Sequence, residues 1–270
     1  MKARERLKHI PIWPSLVTLA STFCGFLAML QAYEATRDPS TAWRFGVAGA
    51  LLLAAMVFDA LDGRVARLTN QTTPFGAELD SLSDALSFGV APAVLAWCMT
   101  RVSNPWLADL PVLWTGLPVA AASFAVCAIL RLARFNVENE PDEFAHRYFK
   151  GLPSPAAAGV VAGLAILHWH LVGMNINWVG EYAVLPATFV AGILMVTEIR
   201  YVHAVGMLFQ GHVPFSYLVL CLLVLVAAAF VPFYAPAIVF VGYAASGLVG
   251  YAVDLAAERI AVHRQEDSYY

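Results

Sequence analysis

Charge is what this sequence has least of. Only 13% of its 270 residues are Asp, Glu, Lys or Arg, while 60% are hydrophobic. A water-soluble domain carries about 25% charged residues and roughly half apolar ones. The deficit argues against a soluble chain and points to a bilayer. Cysteine is also sparse: Cys24, Cys98, Cys127 and Cys221 stand alone in apolar stretches, with no CxxC pair. That spacing excludes a disulfide framework and a zinc site, and leaves four small hydrophobes. The chain holds no low-complexity tract and no long linker, so a separate soluble domain is not expected. A net charge of −3 argues neither for nor against an acidic partner.

What fills the chain instead is apolar runs of membrane-spanning length, about 20 residues each. Eight are expected, at 12–33, 42–61, 78–100, 112–133, 155–173, 182–200, 215–232 and 234–257. The third is interrupted by charge and the fourth by Pro118. The charged start, Met1 to Lys8, precedes a run too long for a cleaved signal, so a retained helix is expected there. With eight spans both termini share one side. That side collects thirteen of the sixteen Lys and Arg residues, leaving Arg37, Arg44 and Arg101 opposite. Positive residues gather on the cytosolic face, so both termini are expected there. The expected fold is an all-α polytopic membrane bundle forming one domain over 1–270.

Charges inside spans are costly and mark function. Asp59 and Asp62 close the second span, and Asp80 and Asp84 open the third. Asp59, Asp62 and Ala66 share one helical face, and Asp80 and Asp84 lie one turn apart on another. A short polar loop, Thr69 to Pro74, turns the two helices antiparallel and brings the four carboxylates together beside Arg64 and Arg67. Clustered carboxylates repel unless neutralised. Divalent cations do this through oxygen ligands, and Mg²⁺ favours sites shared between carboxylates and substrate phosphates. Gly63, Ala66 and Gly76 leave room for a nucleotide against the backbone. The residues therefore point to divalent-metal phosphoryl or phosphatidyl transfer at the cytosolic rim. Two other readings stay open: salt bridges to Arg64, Arg67 and Arg131, or an ion pathway through the bundle.

Written out, the segment is Asp59-x2-Asp62-Gly63-x2-Ala66-Arg67-x8-Gly76-x3-Asp80-x3-Asp84. All eight fixed positions resemble the signature of the CDP-alcohol phosphatidyltransferase family. Phe75 to Ala93, Arg131 to Val137, Phe149 to Gly159 and Pro14 to Phe26 are similar to the membrane-embedded branch that uses L-serine, although Ser21 stands where that branch often has Asn. The resemblance implies a six-helix catalytic core (about 12–200) followed by two further helices (about 215–257), usually in a homodimer. It implies Asp59, Asp62, Asp80 and Asp84 as ligands of two Mg²⁺ or Mn²⁺ ions, with Asp84 also the general base. Asp59, Gly63, Ala66, Arg67 and Gly76 would line the site for CDP-diacylglycerol. The carboxylate of serine needs a cation, and Arg131 and Arg134 stand at the cytosolic end of the fourth span, with Asn136 and Ser154 as further polar candidates. Membrane lipids complete the expected partners; nucleic acid is not among them. Glycerol 3-phosphate or an inositol phosphate is the alternative acceptor, an archaeal-type CDP-lipid the alternative donor, and a cation transporter the reading from another class. His168 and His170 fall on the far side and are expected to have no role. Gly242-x3-Ser246-x3-Gly250 suggests close helix packing, within the bundle or between two copies.

Overall fold

A computed structural model of the chain describes residues 12–68, 73–138, 148–202 and 230–267. Eight α-helices dominate it: α1 (Ile12–Arg37), α2 (Trp43–Leu68), α3 (Pro74–Asp84), α4 (Ala91–Ser103), α5 (Pro111–Glu138), α6 (Ser154–Val172), α7 (Val184–Val196) and α8 (Ala235–Asp267). A π-helical turn, Ala85–Val90, joins α3 to α4, and another, Val179–Ala183, leads into α7. Seven stretches among the described residues are long and apolar enough to cross a membrane, Pro74–Ser103 counting as one. The expected span at 215–232 lies outside the described residues except at its last three positions. Its described flanks lie at opposite ends of the bundle: Tyr201 beside Ala244, and Phe233 beside Trp169 and His170.

The second helix runs past its expected end at 61 to Leu68, so Asp59 and Asp62 lie within a continuous helix. Thr73 starts α3 as an N-cap, its Oγ1 accepting the Gly76 N–H at 3.1 Å, with Pro74 in the first turn. Pro118 sits inside α5 without ending it. Neighbouring helices can satisfy a carbonyl freed by proline, which is why membrane helices tolerate it.

The all-α expectation omitted one small feature. Strands β1 (Tyr148–Lys150) and β2 (Arg200–Val202) form a two-stranded antiparallel ladder at the bundle end where α5 and α7 finish. Gly151 follows β1 at φ +82° and donates to the Ile199 carbonyl at 2.8 Å. That left-handed conformation suits glycine. A side chain there would strike the Met195 carbonyl. Three residues as short as these carry too little alternation to read as strands.

Packing in lipid depends on close backbone approach rather than apolar burial. The core is accordingly rich in alanine, with Phe45, Phe88, Phe124 and Leu52 fully buried among small residues. Helix α6 receives α8 on Gly159, beneath Phe240, and on Gly163, whose Cβ would stand 2.6 Å from the Ala237 nitrogen. By contrast, no described residue comes within 4 Å of a Cβ at Gly242 or Gly250. Within the described bundle, α6 rather than the Gly242 stripe supplies the small residues of this contact. Cys24, Cys98 and Cys127 are free thiols, as their spacing suggests; Cys221 lies outside the described residues.

At the end away from the acids, all three expected far-side arginines are held locally. Arg37 pairs with Glu34 at 3.6 Å, Arg44 lies over Trp43 at 5.0 Å, and Arg101 sits between Trp97 and Trp114 at 5.5 and 4.9 Å. Such cation–π pairs suit a membrane interface, where indole rings settle at headgroup level. His168 is buried near Phe45, and His170 stacks on Phe233 at 4.5 Å, both remote from the acids.

Candidate active site

Helices α2 and α3 bring the four aspartates to one place. One carboxylate oxygen each from Asp59, Asp62 and Asp80 lies within 4.8 Å of the others, a spacing able to hold a metal ion. Asp84 faces Asp59 at hydrogen-bonding range, one turn beyond Asp80. Oδ2 of Asp62 and Oδ1 of Asp84 are buried with no hydrogen-bond partner. Buried carboxylate oxygens without donors are costly, and a hard cation is the ligand that this donor set fits. The acids form one cluster at one end of the bundle instead of a file across membrane depth, which speaks against an ion path.

Hydroxyl groups fix α3 against α1. Ser83 Oγ donates to the Thr18 carbonyl at 3.1 Å, Thr22 Oγ1 donates to Ser83 Oγ at 2.8 Å, and Ser87 Oγ donates to the Ser21 carbonyl at 3.2 Å. A Cβ at Gly25 would stand 2.9 Å from Cα of Ser87, so α1 and the π-helical turn after α3 touch backbone to backbone there. The Thr18 hydroxyl lies beside Asp62. None of these residues stands out as chemical in the sequence. Their signal is the fourfold spacing of hydroxyls, Thr18 with Thr22 and Ser83 with Ser87, in otherwise apolar helices. Ser21 is buried and engages the π-helical turn through its carbonyl, so this position supports packing.

The other expected residues divide. Gly63 is open, with nothing within 4 Å of its Cβ position among the described residues, which leaves the backbone approachable beside Asp62. Gly76 lies in the first turn of α3 and donates its N–H to the Thr73 cap. Ala66 and Arg67 occupy the last turn of α2, and their side chains lie outside the described residues. Arg131 is half-buried within electrostatic range of Asp84, and its Nη1 donates to Ser154 Oγ at 2.9 Å. Its Nε is buried without a hydrogen-bond partner. Arg134 turns outward to Glu198 at 3.6 Å, and Asn136 donates to Ser81 Oγ at 3.0 Å. Of the three, Arg131 has an aspartate of the cluster as an electrostatic partner.

Known proteins share this organisation in sequence. The profile of the CDP-alcohol phosphatidyltransferase family matches residues 11–197. A Helicobacter pylori protein named CDP-diacylglycerol–serine O-phosphatidyltransferase is 35% identical over 193 residues, covering 70% of this chain and 71% of the relative. One of the same name from Mycobacterium bovis is 35% identical over 208 residues, or 73% of this chain and 64% of the relative. Another, from Saccharomyces cerevisiae, is 36% identical over 156 residues, covering 55% and 51%. The match thus spans between half and seven tenths of these relatives. Helix α8 lies beyond the family segment.

Proposed function

The chain belongs to the CDP-alcohol phosphatidyltransferase family, and from that premise we propose that it transfers the phosphatidyl group of CDP-diacylglycerol to L-serine, releasing CMP, at a site on the cytosolic rim. The observation that supports this reading is a half-buried Arg131, held by Ser154 and within electrostatic range of Asp84 of the carboxylate cluster. A serine whose hydroxyl approaches Asp84 has its carboxylate, three bonds away, within reach of the Arg131 guanidinium.

Asp59, Asp62 and Asp80, with Asp84, would hold two divalent ions. Bound there, the ions would neutralise the diphosphate and the charge that develops on it during transfer. The chain's own groups do the rest. Asp84 accepts the proton of the serine hydroxyl, whose pKa far above neutrality requires a base within hydrogen-bond reach. The serine oxygen forms a bond to the lipid-side phosphorus. The bond from that phosphorus to the bridging oxygen breaks, and CMP leaves with both electrons. Open backbone at Gly63 admits the nucleotide beside Asp62. Arg131 holds the acceptor carboxylate, and the Ser154 hydroxyl orients Arg131. Arg67 would contact the diphosphate.

Purified protein given CDP-diacylglycerol and a panel of acceptors tests this directly. CMP release and lipid mass spectrometry should report phosphatidylserine from L-serine at a rate well above that from glycerol 3-phosphate or inositol phosphate. Preference for a phosphorylated acceptor would overturn the serine assignment and leave the transfer chemistry in place.

A further inference from the structure

The small ladder of β1 and β2 leads directly into Ser154, the hydrogen-bond partner of Arg131. From β1 the chain passes through Gly151, whose N–H donates to the Ile199 carbonyl at 2.8 Å, and Leu152, whose N–H donates to the Leu194 carbonyl at 2.9 Å. Two residues later Ser154 opens α6, its buried Oγ accepting from Arg131 Nη1 at 2.9 Å. Two strands of three residues hold each other only marginally, so the strap needs an anchor. Tyr201, in the middle of β2, supplies one. Its side chain is 1% exposed, its ring lies where a Cβ on Gly247 of α8 would collide with it, and its hydroxyl donates to the Ala244 carbonyl at 3.1 Å. Helix α8 is in turn seated on α6, through Phe240 over Gly159 and Ala237 against Gly163. Tyr201 and Ala244 both lie beyond the family segment of residues 11–197, whereas Ser154 and Arg131 lie inside it.

We infer that Tyr201 is a positioning residue of the acceptor pocket: its hydroxyl latches the strap of β1 and β2 to α8, and the latched strap keeps Ser154 on Arg131. This rests on the assignment of Arg131 to the acceptor's carboxylate. A buried phenol gains nothing over phenylalanine unless its hydroxyl is bonded, so the oxygen of Tyr201 serves register more than burial. A helical carbonyl keeps a second lone pair with which to receive it. A slip of one residue along the ladder would carry β1 about 3.3 Å along its partner and turn Tyr201 to the opposite face. Ser154 would then leave hydrogen-bond range of Nη1, and Arg131 would lose the hydroxyl that orients it. Helix α8 thus acts on the acceptor from outside the family segment, through one phenol and one strap.

Tyr201→Phe in the full-length protein tests this, because it keeps the ring on Gly247 and removes the hydroxyl. Hydrogen exchange in detergent, read by mass spectrometry, should quicken about two- to tenfold at the Gly151 and Leu152 amides, the range of one hydrogen bond. The KM for serine should rise by a similar factor, while kcat and the KM for CDP-diacylglycerol stay near wild type. Loss of stability alone would not give that split. Added to Ser154→Ala, the substitution should raise the serine KM little further, since both act through one contact. Unchanged exchange overturns the latch. Where Arg131→Lys raises the serine KM, an unchanged serine KM in Tyr201→Phe, equal rises in both KM values, or full additivity with Ser154→Ala overturns the positioning role alone. If Arg131→Lys leaves the serine KM unchanged, the acceptor reading has failed and the positioning role falls with it.

Discussion

Asn136 donates from Nδ2 to Oγ of Ser81 at 3.0 Å, one residue past Asp80 of the carboxylate cluster. The bond ties α5 to α3, so the end of α5 moves with the carboxylate cluster. Arg131 lies on that same helix, a little over one turn earlier, and its distance from Asp84 is held partly by this tie.

Arg131 and Arg134 should therefore differ. Arg131→Lys keeps the charge but loses the forked donors, and the KM for serine should rise at least about tenfold, the value of a charged hydrogen bond. Arg134→Gln breaks a rim pair with the exposed Glu198, worth under about 1 kcal/mol. Its serine KM should stay within about threefold, and equal effects at the two positions would place the carboxylate elsewhere.

Asp59→Asn, Asp62→Asn and Asp80→Asn should each reduce transfer roughly a hundredfold or more, because an amide cannot supply the negative charge that a divalent ion needs. The proteins should still purify folded in detergent, since removing one of several crowded carboxylates also removes repulsion. Substantial activity in all three would end the metal reading.

Chelation separates metal from fold. Exhaustive EDTA should stop CMP release, and Mg²⁺ or Mn²⁺ should restore it. The helical circular-dichroism signal should be unchanged throughout, because small-residue contacts such as Gly159 with Phe240 and Gly163 with Ala237 hold the bundle away from the carboxylates.

For Asp84→Asn, single-turnover transfer should collapse, while binding of a CDP-lipid analogue weakens by less than about tenfold, roughly 1.4 kcal/mol. Tighter dependence of binding on this residue would make it a metal ligand first, and the base would lie elsewhere.

Gly151→Ala should destabilise the protein by about 1–3 kcal/mol, because φ +82° is strained for any side chain and the Met195 carbonyl blocks it. Thermal melting in detergent reads the loss. The serine KM should rise as well, since Ser154 follows three residues later.

Much of this was legible in the residues. Seven of the eight expected membrane-length stretches stand among the described residues and follow from apolar length, and the convergence of Asp59, Asp62, Asp80 and Asp84 follows from helical period and one short loop. Residues whose meaning depends on distant partners were not legible. Asn136 reads as a polar residue near a pocket until Ser81 is seen beneath it, and Arg134 looks equivalent to Arg131 until Glu198 is found. The stripe at Gly242 resembles a packing face, yet α8 docks through Phe240 onto a stripe of α6. Local pattern fixes which side chains share a face; it says nothing of which face a neighbour takes.

The π-helical turn at Ala85–Val90 begins immediately after Asp84. Such turns arise from one extra residue in a helix and recur at functional sites. Each residue advances an α-helix by about 100°. Deleting one residue from this turn would leave the composition and hydropathy of the span nearly untouched. It would nevertheless rotate Asp80 and Asp84 by more than a quarter turn relative to α4. The alignment of the carboxylates with their partners on α2 is therefore a matter of residue count as well as residue type. A homologue that keeps all four aspartates and lacks that extra residue would carry the signature with half of it facing the wrong way.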